Sequence, residues 1–312
     1  MRACVDIGGT KVAVSLARPG SEELLARQSA PTAKTGDNDA VARQVLQLID
    51  AACAEAGIDA ASVGSVGVSS AGPFVVAEGS VELASPNICG GLAGPARGLP
   101  NDWMTALLEA PLRRRFDKVR VENDAVAALE AERRWGALQG LDHCAYVTWS
   151  TGVGVGLCVD GRPLRGKNGN AGHAGHTFVS DDDNHDALCG CGNVGDVEGL
   201  VAGNAIARRF GHSAEDLFNA AVAGDAEALR TTDALCRVMG RTLYNLVVTL
   251  DLQAISLGGS VFWHNRDLLL PRLQSHIDGR LPSLTAGMRC VPAGLADKVG
   301  DYAAMALLSH AG

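Results

Sequence analysis

The alternation of apolar and polar positions opens as strand, turn, strand. Ala3 to Ile7 is β-rich, Gly8-Gly9-Thr10 carries turn residues, and Val12 to Leu16 is β-rich again. Leu24 to Gln28 supplies a third strand. Between Asp39 and Ala56 the apolar residues fall at 41, 45, 48, 49 and 52, which is the spacing of one helix face. Asp37 to Asp39 offer caps for that helix, and Gly57 offers a stop. Val63 to Val68 reads as a fourth strand. Residues 84 to 101 are irregular and rich in Gly and Pro, a length that marks either a functional loop or a flexible one. A helix over 103–116 and a strand over 118–121 follow, and Asn123-Asp124 opens an Ala-rich helix to Trp135.

The second half repeats the opening. Cys144 to Trp149 and Val153 to Val159 form a strand pair around Ser150-Thr151-Gly152, as residues 3–16 do around Gly8-Gly9-Thr10. A polar, Gly-rich stretch over 165–196 precedes helical patterns at 197–210, 214–223 and 226–250. Ala254 to Leu257 is a buried strand ending in Gly258-Gly259-Ser260. A helix near 265–279, a strand at 288–292 and a last helix at 300–311 complete the chain. This order predicts an α/β protein of two related halves.

With 312 residues, the chain has room for about two domains of roughly 150 residues. Its 27 basic and 35 acidic residues give a net charge of -8, which argues against a nucleic-acid surface. That balance leaves room for one bound nucleotide, whose phosphates backbone N–H groups and magnesium can hold. The longest apolar candidate, Leu243 to Leu257, is cut by Asn245, Asp251 and Gln253, so no membrane span is expected. Asp6 and Gly8 interrupt any signal peptide. Seven of the nine cysteines lie in apolar surroundings and read as buried thiols of a reducing compartment, which predicts a cytoplasmic protein.

Five strings carry chemistry. Asp6-Ile7-Gly8-Gly9-Thr10-Lys11 is either an ordinary hairpin or a turn whose N–H groups meet phosphate oxygens, with Asp6 holding magnesium through water. Ser150 to Gly156 and Gly258-Gly259-Ser260 are weaker sites of the same kind. Glu122-Asn123-Asp124 precedes a helix. Asp124 can cap it, act as a general base toward a hydroxyl, or do both. His176, Cys189 and Cys191 suit tetrahedral zinc, with Asp196 or His185 as the fourth ligand.

In this order the strings resemble the ROK family (repressors, open reading frames and kinases) over nearly the whole chain. The resemblance implies two ribonuclease-H-like, actin/hexokinase-type domains around a central cleft. Residues 1–121, joined by the C-terminal helix 300–312, would form the smaller domain, and 122–299 the larger. It implies an ATP-dependent kinase acting with magnesium on the 6-hydroxyl of a hexose or amino-hexose, with Asp124 as the base. Asn87, Asn123, Asp124, His173, His176 and Glu198 would touch the sugar. Asp6, Gly8, Gly9, Thr10, Lys11, Thr151 and Gly152 would serve the phosphates, and Gly258 and Gly259 the adenosine. His176, Cys189, Cys191 and Asp196 would hold zinc, and a dimer or tetramer is implied.

Three departures from the family pattern matter. Asp196 stands where most members have a third cysteine. His173 stands where glucokinase-like members carry Glu, as in bacterial N-acetylmannosamine kinases. An insertion, Gly90 to Pro100, follows Pro86-Asn87 and could line the sugar pocket. The first bears on zinc, for which aspartate is a harder ligand. The other two point away from strict glucose specificity, and the candidate sugars are N-acetylmannosamine, N-acetylglucosamine, kanosamine and plain glucose. The competing class is a sugar-binding regulator without kinase activity. Because the phosphate motif starts at Asp6, no DNA-binding helix-turn-helix is expected ahead of it.

Overall fold

A computed structural model describes residues 1–93, 98–180 and 185–309. The chain divides into two compact units. Unit 1 takes Met1–Ala131, Arg165–Ala171 and the chain from Gly300 onward; unit 2 takes Glu132–Leu164 and Gly172–Val299. Unit 1 thus runs past residue 121 to Ala131, and the boundary falls inside the helix Asp124–Trp135.

The strands of unit 1 are β1 (Arg2–Ile7), β2 (Lys11–Ala17), β3 (Leu24–Pro31), β4 (Ser65–Ser70), β5 (Phe74–Ala77), β6 (Ser80–Leu83), β7 (Ala106–Leu107) and β8 (Lys118–Asn123). The main sheet has the order β3-β2-β1-β4-β8. β1, β2 and β3 pair antiparallel, while β1, β4 and β8 run parallel. In unit 2, β9 (Cys144–Trp149), β10 (Val153–Val159), β11 (Arg162–Pro163), β12 (Ala254–Gly258) and β13 (Arg289–Pro292) repeat this plan in the order β11-β10-β9-β12-β13. The repeat expected from the strand–turn–strand echo is therefore a repeat of whole sheets.

Each sheet buries its faces under helices. The helix Ala40–Ala56 sets Val41, Val45, Ile49 and Ala52 at 0% exposure against unit 1's sheet, and Gly57 ends it in the left-handed region at φ 65°. Burying each Val or Ile stabilises by about 1.5–3 kcal/mol. In unit 2 the 25-residue helix Ala226–Leu250 buries Leu235, Met239, Leu243 and Val247 at helical spacing, with the Asp225 side chain capping two N–H groups.

Three expectations change. The helix over 103–116 is instead β7 followed by a short helix, Glu109–Arg113. Pro111 has no N–H to continue a helix through this stretch, and β7 gains ladder bonds to β6. The hairpin β5–β6 stands where no strand was expected, with Glu78-Gly79 as its turn. The helix over 197–210 is two helices, Val197–Val201 and Gly203–Phe210, because Ala202 is extended at ψ 153°. The Gly203 N–H leaves the helix pattern to reach the Ser150 carbonyl at 2.8 Å.

The last helix spans Val299–Ala306, and residues 310–312 of the helix expected at the C-terminus lie outside the described residues. So do residues 94–97 of the insertion. The rest of that insertion is tied down by Asn101. Its Oδ1 accepts from the Gly90 N–H at 2.7 Å, and its Nδ2 donates to the Lys34 and Ile88 carbonyls at 3.0 Å. Among the described residues no helix is long and apolar enough to cross a membrane.

Candidate active site

In unit 1 the candidate residues gather at the carboxyl ends of the parallel strands, where open α/β sheets bind ligands. Asp6 on β1 is level with Ser69 on β4, and Ser69 with Glu122 on β8. The Gly8–Thr10 turn closes β1 onto β2, with the Gly8 N–H donating to the Lys11 carbonyl at 2.8 Å. Thr10 and Lys11 are exposed. Gly9 is needed for close approach, because a Cβ there would lie 2.8 Å from the Cβ of Asn87. The structure thus brings Asn87 and the turn together, although more than seventy residues separate them in sequence.

Asn123 ends β8 buried, and its Oδ1 accepts the Ala125 N–H at 3.0 Å, the bond of a helix cap. Asp124 shares that N–H at 2.8 Å and is exposed at the helix start. Capping therefore does not confine Asp124. Burial, and secondarily the charge of Asp124, push the Asp6 carboxyl up to about 6, while Arg27 and Lys11 oppose the shift.

Glu122 is 1% exposed and meets Arg165 at 2.6 Å and Arg120 at 3.3 Å. Burial raises its pKa, and the two guanidiniums work against that rise. Arg120 also pairs with Glu130 at 2.8 Å. Arg165 belongs to the excursion Arg165–Ala171. Asn170 fastens the same excursion by accepting from the Phe74 N–H and donating to the Phe74 carbonyl, each at 2.8 Å. Sequence reasoning did not single out Arg165. The one signal was the acidic Glu122 near the end of β8, a carboxylate that needs a cationic partner once buried.

In unit 2, the Ser150–Gly152 turn closes β9 onto β10, and two other segments converge on it. Ser150 Oγ lies 3.1 Å from Ser260 Oγ. Gly259, at φ 86°, packs so closely that a Cβ would sit 2.5 Å from the Trp149 carbonyl. Glu198 accepts the Val153 N–H at 2.9 Å, and a Cβ on Gly152 would come within 2.6 Å of that carboxylate. Thr151, Gly152, Glu198, Gly258 and Gly259 thus form one neighbourhood.

The metal candidates lie beside it. His176, Cys189, Cys191 and Asp196 place their ligand atoms within 4.8 Å of one another, and His185 is outside this group. His176 Nδ1 is 3.1 Å from Asp196 Oδ2 and 3.5 Å from Cys189 Sγ, and Cys191 Sγ is 3.4 Å from Asp196 Oδ2. Tetrahedral zinc with ordinary bond lengths requires edges of about 3.3 Å for N–O and about 3.6 Å for pairs with sulfur. The donor set therefore fits the ion.

Asp196 is fully buried and divides its oxygens, Oδ1 accepting the Gly199 N–H at 2.7 Å as a helix cap and Oδ2 facing the cluster. Burial alone would raise its pKa. Hydrogen bonds from His176, the Gly199 N–H and the two thiols outweigh burial and hold the carboxyl below its usual range. His176 is raised in turn, chiefly by its bond to Asp196. Cys189 Sγ also donates to Glu198 Oε1 at 3.3 Å, which links the cluster to the Ser150–Gly152 turn. The His173 ring centroid is 6.0 Å from that of His176.

Two like sheets, glycine-lined turns after the first strand of each, and this cluster define an actin/hexokinase-type α/β protein. The profile of the ROK family matches residues 2–311, and the chain belongs to that family. A glucokinase of Aeropyrum pernix is 32% identical, with 97% of this chain and 95% of that protein covered. An N-acetylmannosamine kinase of Salmonella paratyphi B is 32% identical, with 82% of each covered. Among solved structures, the ROK hexokinase of Thermus thermophilus matches at TM-score 0.73 and 29% identity, covering 98% of this chain and 96% of that one. A ROK glucokinase of Streptomyces griseus, in complex with glucose and AMPPNP, matches at TM-score 0.70 and 28% identity, covering 100% and 99%.

Proposed function

We propose that the protein is an ATP-dependent sugar kinase that transfers the γ-phosphoryl group to the 6-hydroxyl of a hexose or amino-hexose. The observation that carries this reading is Asp124: an exposed carboxylate at a parallel strand's end, backed by buried Asn123 and electrostatically coupled to Asp6. The relatives at 32% identity, a glucokinase and an N-acetylmannosamine kinase, support it.

Phosphoryl transfer asks the protein for positioning and charge more than for deep deprotonation. Asp124 accepts the proton of the attacking hydroxyl as that oxygen bonds to the γ-phosphorus and the bond to the β,γ-bridging oxygen breaks, its electron pair leaving with ADP. Asn123 keeps Asp124 at the helix start through the shared Ala125 N–H. The Gly8–Lys11 turn, Thr151 and Gly152 serve the phosphates, and Gly258 and Gly259 the adenosine. Asp6 would hold magnesium, which supplies charge neutralisation at the phosphates. Asn87, His173, His176 and Glu198 bind the sugar. His176, Cys189, Cys191 and Asp196 would hold one zinc, which would fix the loop bearing His176. His173 both donates and accepts, where a glutamate only accepts, so it reads ring substituents differently from a glucokinase carboxylate. The same reading makes the enzyme a homodimer or homotetramer.

ADP release with ATP and magnesium against glucose, mannose, glucosamine, N-acetylglucosamine, N-acetylmannosamine and kanosamine tests the reading, with Asp124→Asn as control. Turnover on one sugar that the folded variant loses supports it. Sugar binding without turnover across the panel would instead favour a regulatory protein.

A further inference from the structure

Unit 2 contains a cavity of about 580 Å3, lined by none of the residues assigned above. Among the described residues its wall carries Arg209, Arg230, Arg237 and Arg241 and no acidic residue. In a chain with 35 acidic and 27 basic residues, four cations around one hollow run against the composition.

The grouping follows from helix geometry. Positions 230, 237 and 241 fall on one face of the helix Ala226–Leu250. At the helical rise their Cα atoms stand roughly 10 Å and 6 Å apart along the axis. Arg209 comes from the helix Gly203–Phe210 with its side chain 11% exposed, held by the Leu200 carbonyl at 2.7 Å and Asp186 at 3.2 Å. Among the described residues, no carboxylate lies within ion-pair range of Arg230, Arg237 or Arg241. Arg241 donates to the Val179 carbonyl at 3.2 Å. The field of Arg237 and Arg241 reaches His276, whose pKa is lowered by burial first and then by neighbouring arginines.

The guanidiniums of Arg230, Arg237 and Arg241 have no carboxylate in ion-pair range among the described residues; like charges so grouped repel one another, and their paired N–H donors match phosphoryl oxygens. We propose that this cavity is an anion site for the dianionic phosphoryl group of a small metabolite. Arg237 and Arg241 hold the oxygens, and Arg209 and Arg230 flank them. Phe210 adds an apolar wall that can take the rest of an organic ester. Free inorganic phosphate and a sugar phosphate share this chemistry, and the site stands whether or not the chain is a kinase.

The test is isothermal titration of the full chain with inorganic phosphate and, separately, with glucose 6-phosphate. We expect one equivalent to bind, with affinity falling as salt rises from roughly 50 to 200 mM. Lys11→Ala should retain this binding, which separates it from the phosphate turn. The double variant Arg237→Gln/Arg241→Gln should weaken it by about tenfold or more, because two charge-assisted contacts are lost. Tighter binding of either probe names the source and supports the site. Equal binding by wild type and the folded double variant overturns the proposal, as does no binding by wild type.

Discussion

Removing the carboxylate of Glu132 should destabilise unit 2 more than any other single polar change. The side chain is fully buried, and both its oxygens are used. Oε2 accepts from the Ala137 N–H at 2.9 Å, the Ser256 hydroxyl at 3.0 Å and the Gly294 N–H at 2.9 Å, while Oε1 accepts the Leu295 N–H at 2.9 Å. These donors join the end of a helix, β12 and the loop after β13. Glu132→Ala leaves all four without their acceptor, and each unsatisfied buried donor costs about 1–3 kcal/mol. Even at the lower end the loss is about 4 kcal/mol, a large part of a typical domain's stability of roughly 5–15 kcal/mol. Glu132→Gln can keep its carbonyl oxygen toward the three converging donors and lose only Leu295, for about 1–3 kcal/mol. Urea unfolding of both variants measures the difference, and hydrogen exchange at Gly294 and Leu295 reads the freed amides directly. An alanine variant within about 1 kcal/mol of wild type, with unchanged m, would refute the reasoning.

Three further outcomes follow from the site. Asp6 should titrate near 6 in carboxyl NMR, and its midpoint should fall in Asp124→Asn; an unmoved midpoint would show that the two charges do not interact. Because the folded pKa is raised, Asp6 adds stability below its ordinary 3.8, and this is lost as pH rises through about 6. Asp196→Ala should lower the zinc retained against a chelator and cost about 0.5–2 kcal/mol through the lost cap, whereas Asp196→Cys should keep metal but not the cap. Undiminished zinc in the alanine variant would remove Asp196 from the ligand set. Replacing His173 by Glu should move sugar preference toward glucose, and an unchanged profile would show that specificity lies elsewhere.

What the sequence made legible was whatever depended on neighbours in the chain. The Gly8–Thr10 and Ser150–Gly152 turns lie between apolar runs of period two, and the metal set clusters within about twenty residues. Helix 103–116 failed because a favourable spacing concealed Pro111 and the pull of β6. The β5–β6 hairpin had a signal, Glu78-Gly79 between Val-rich runs, but its short strands carry little periodicity. Arg165 against Glu122 and Glu132 against Gly294 are tertiary pairings across long loops, and no local pattern encodes such a partner. Asp196 shows a subtler limit, since its spacing suggested a ligand while its second bond, to the Gly199 N–H, was invisible.

Unit 1 is assembled from three separated pieces of chain, and that has a consequence for biosynthesis. Gly67 on β4 leaves room for the backbone at Ala304, Ala127 packs on Ala303 and Leu307, and Arg27 pairs with Asp301. Nothing from Gly300 onward exists when the ribosome finishes Ala131. At roughly 5–20 residues per second, the nascent first sheet waits on the order of 10–30 s for its last helix. Throughout that interval the face around Gly67 and Ala127 is uncovered, so slower synthesis lengthens the time for which this surface can misassemble. Codon changes that slow translation after Ala131 should therefore lower soluble yield without altering a single amino acid.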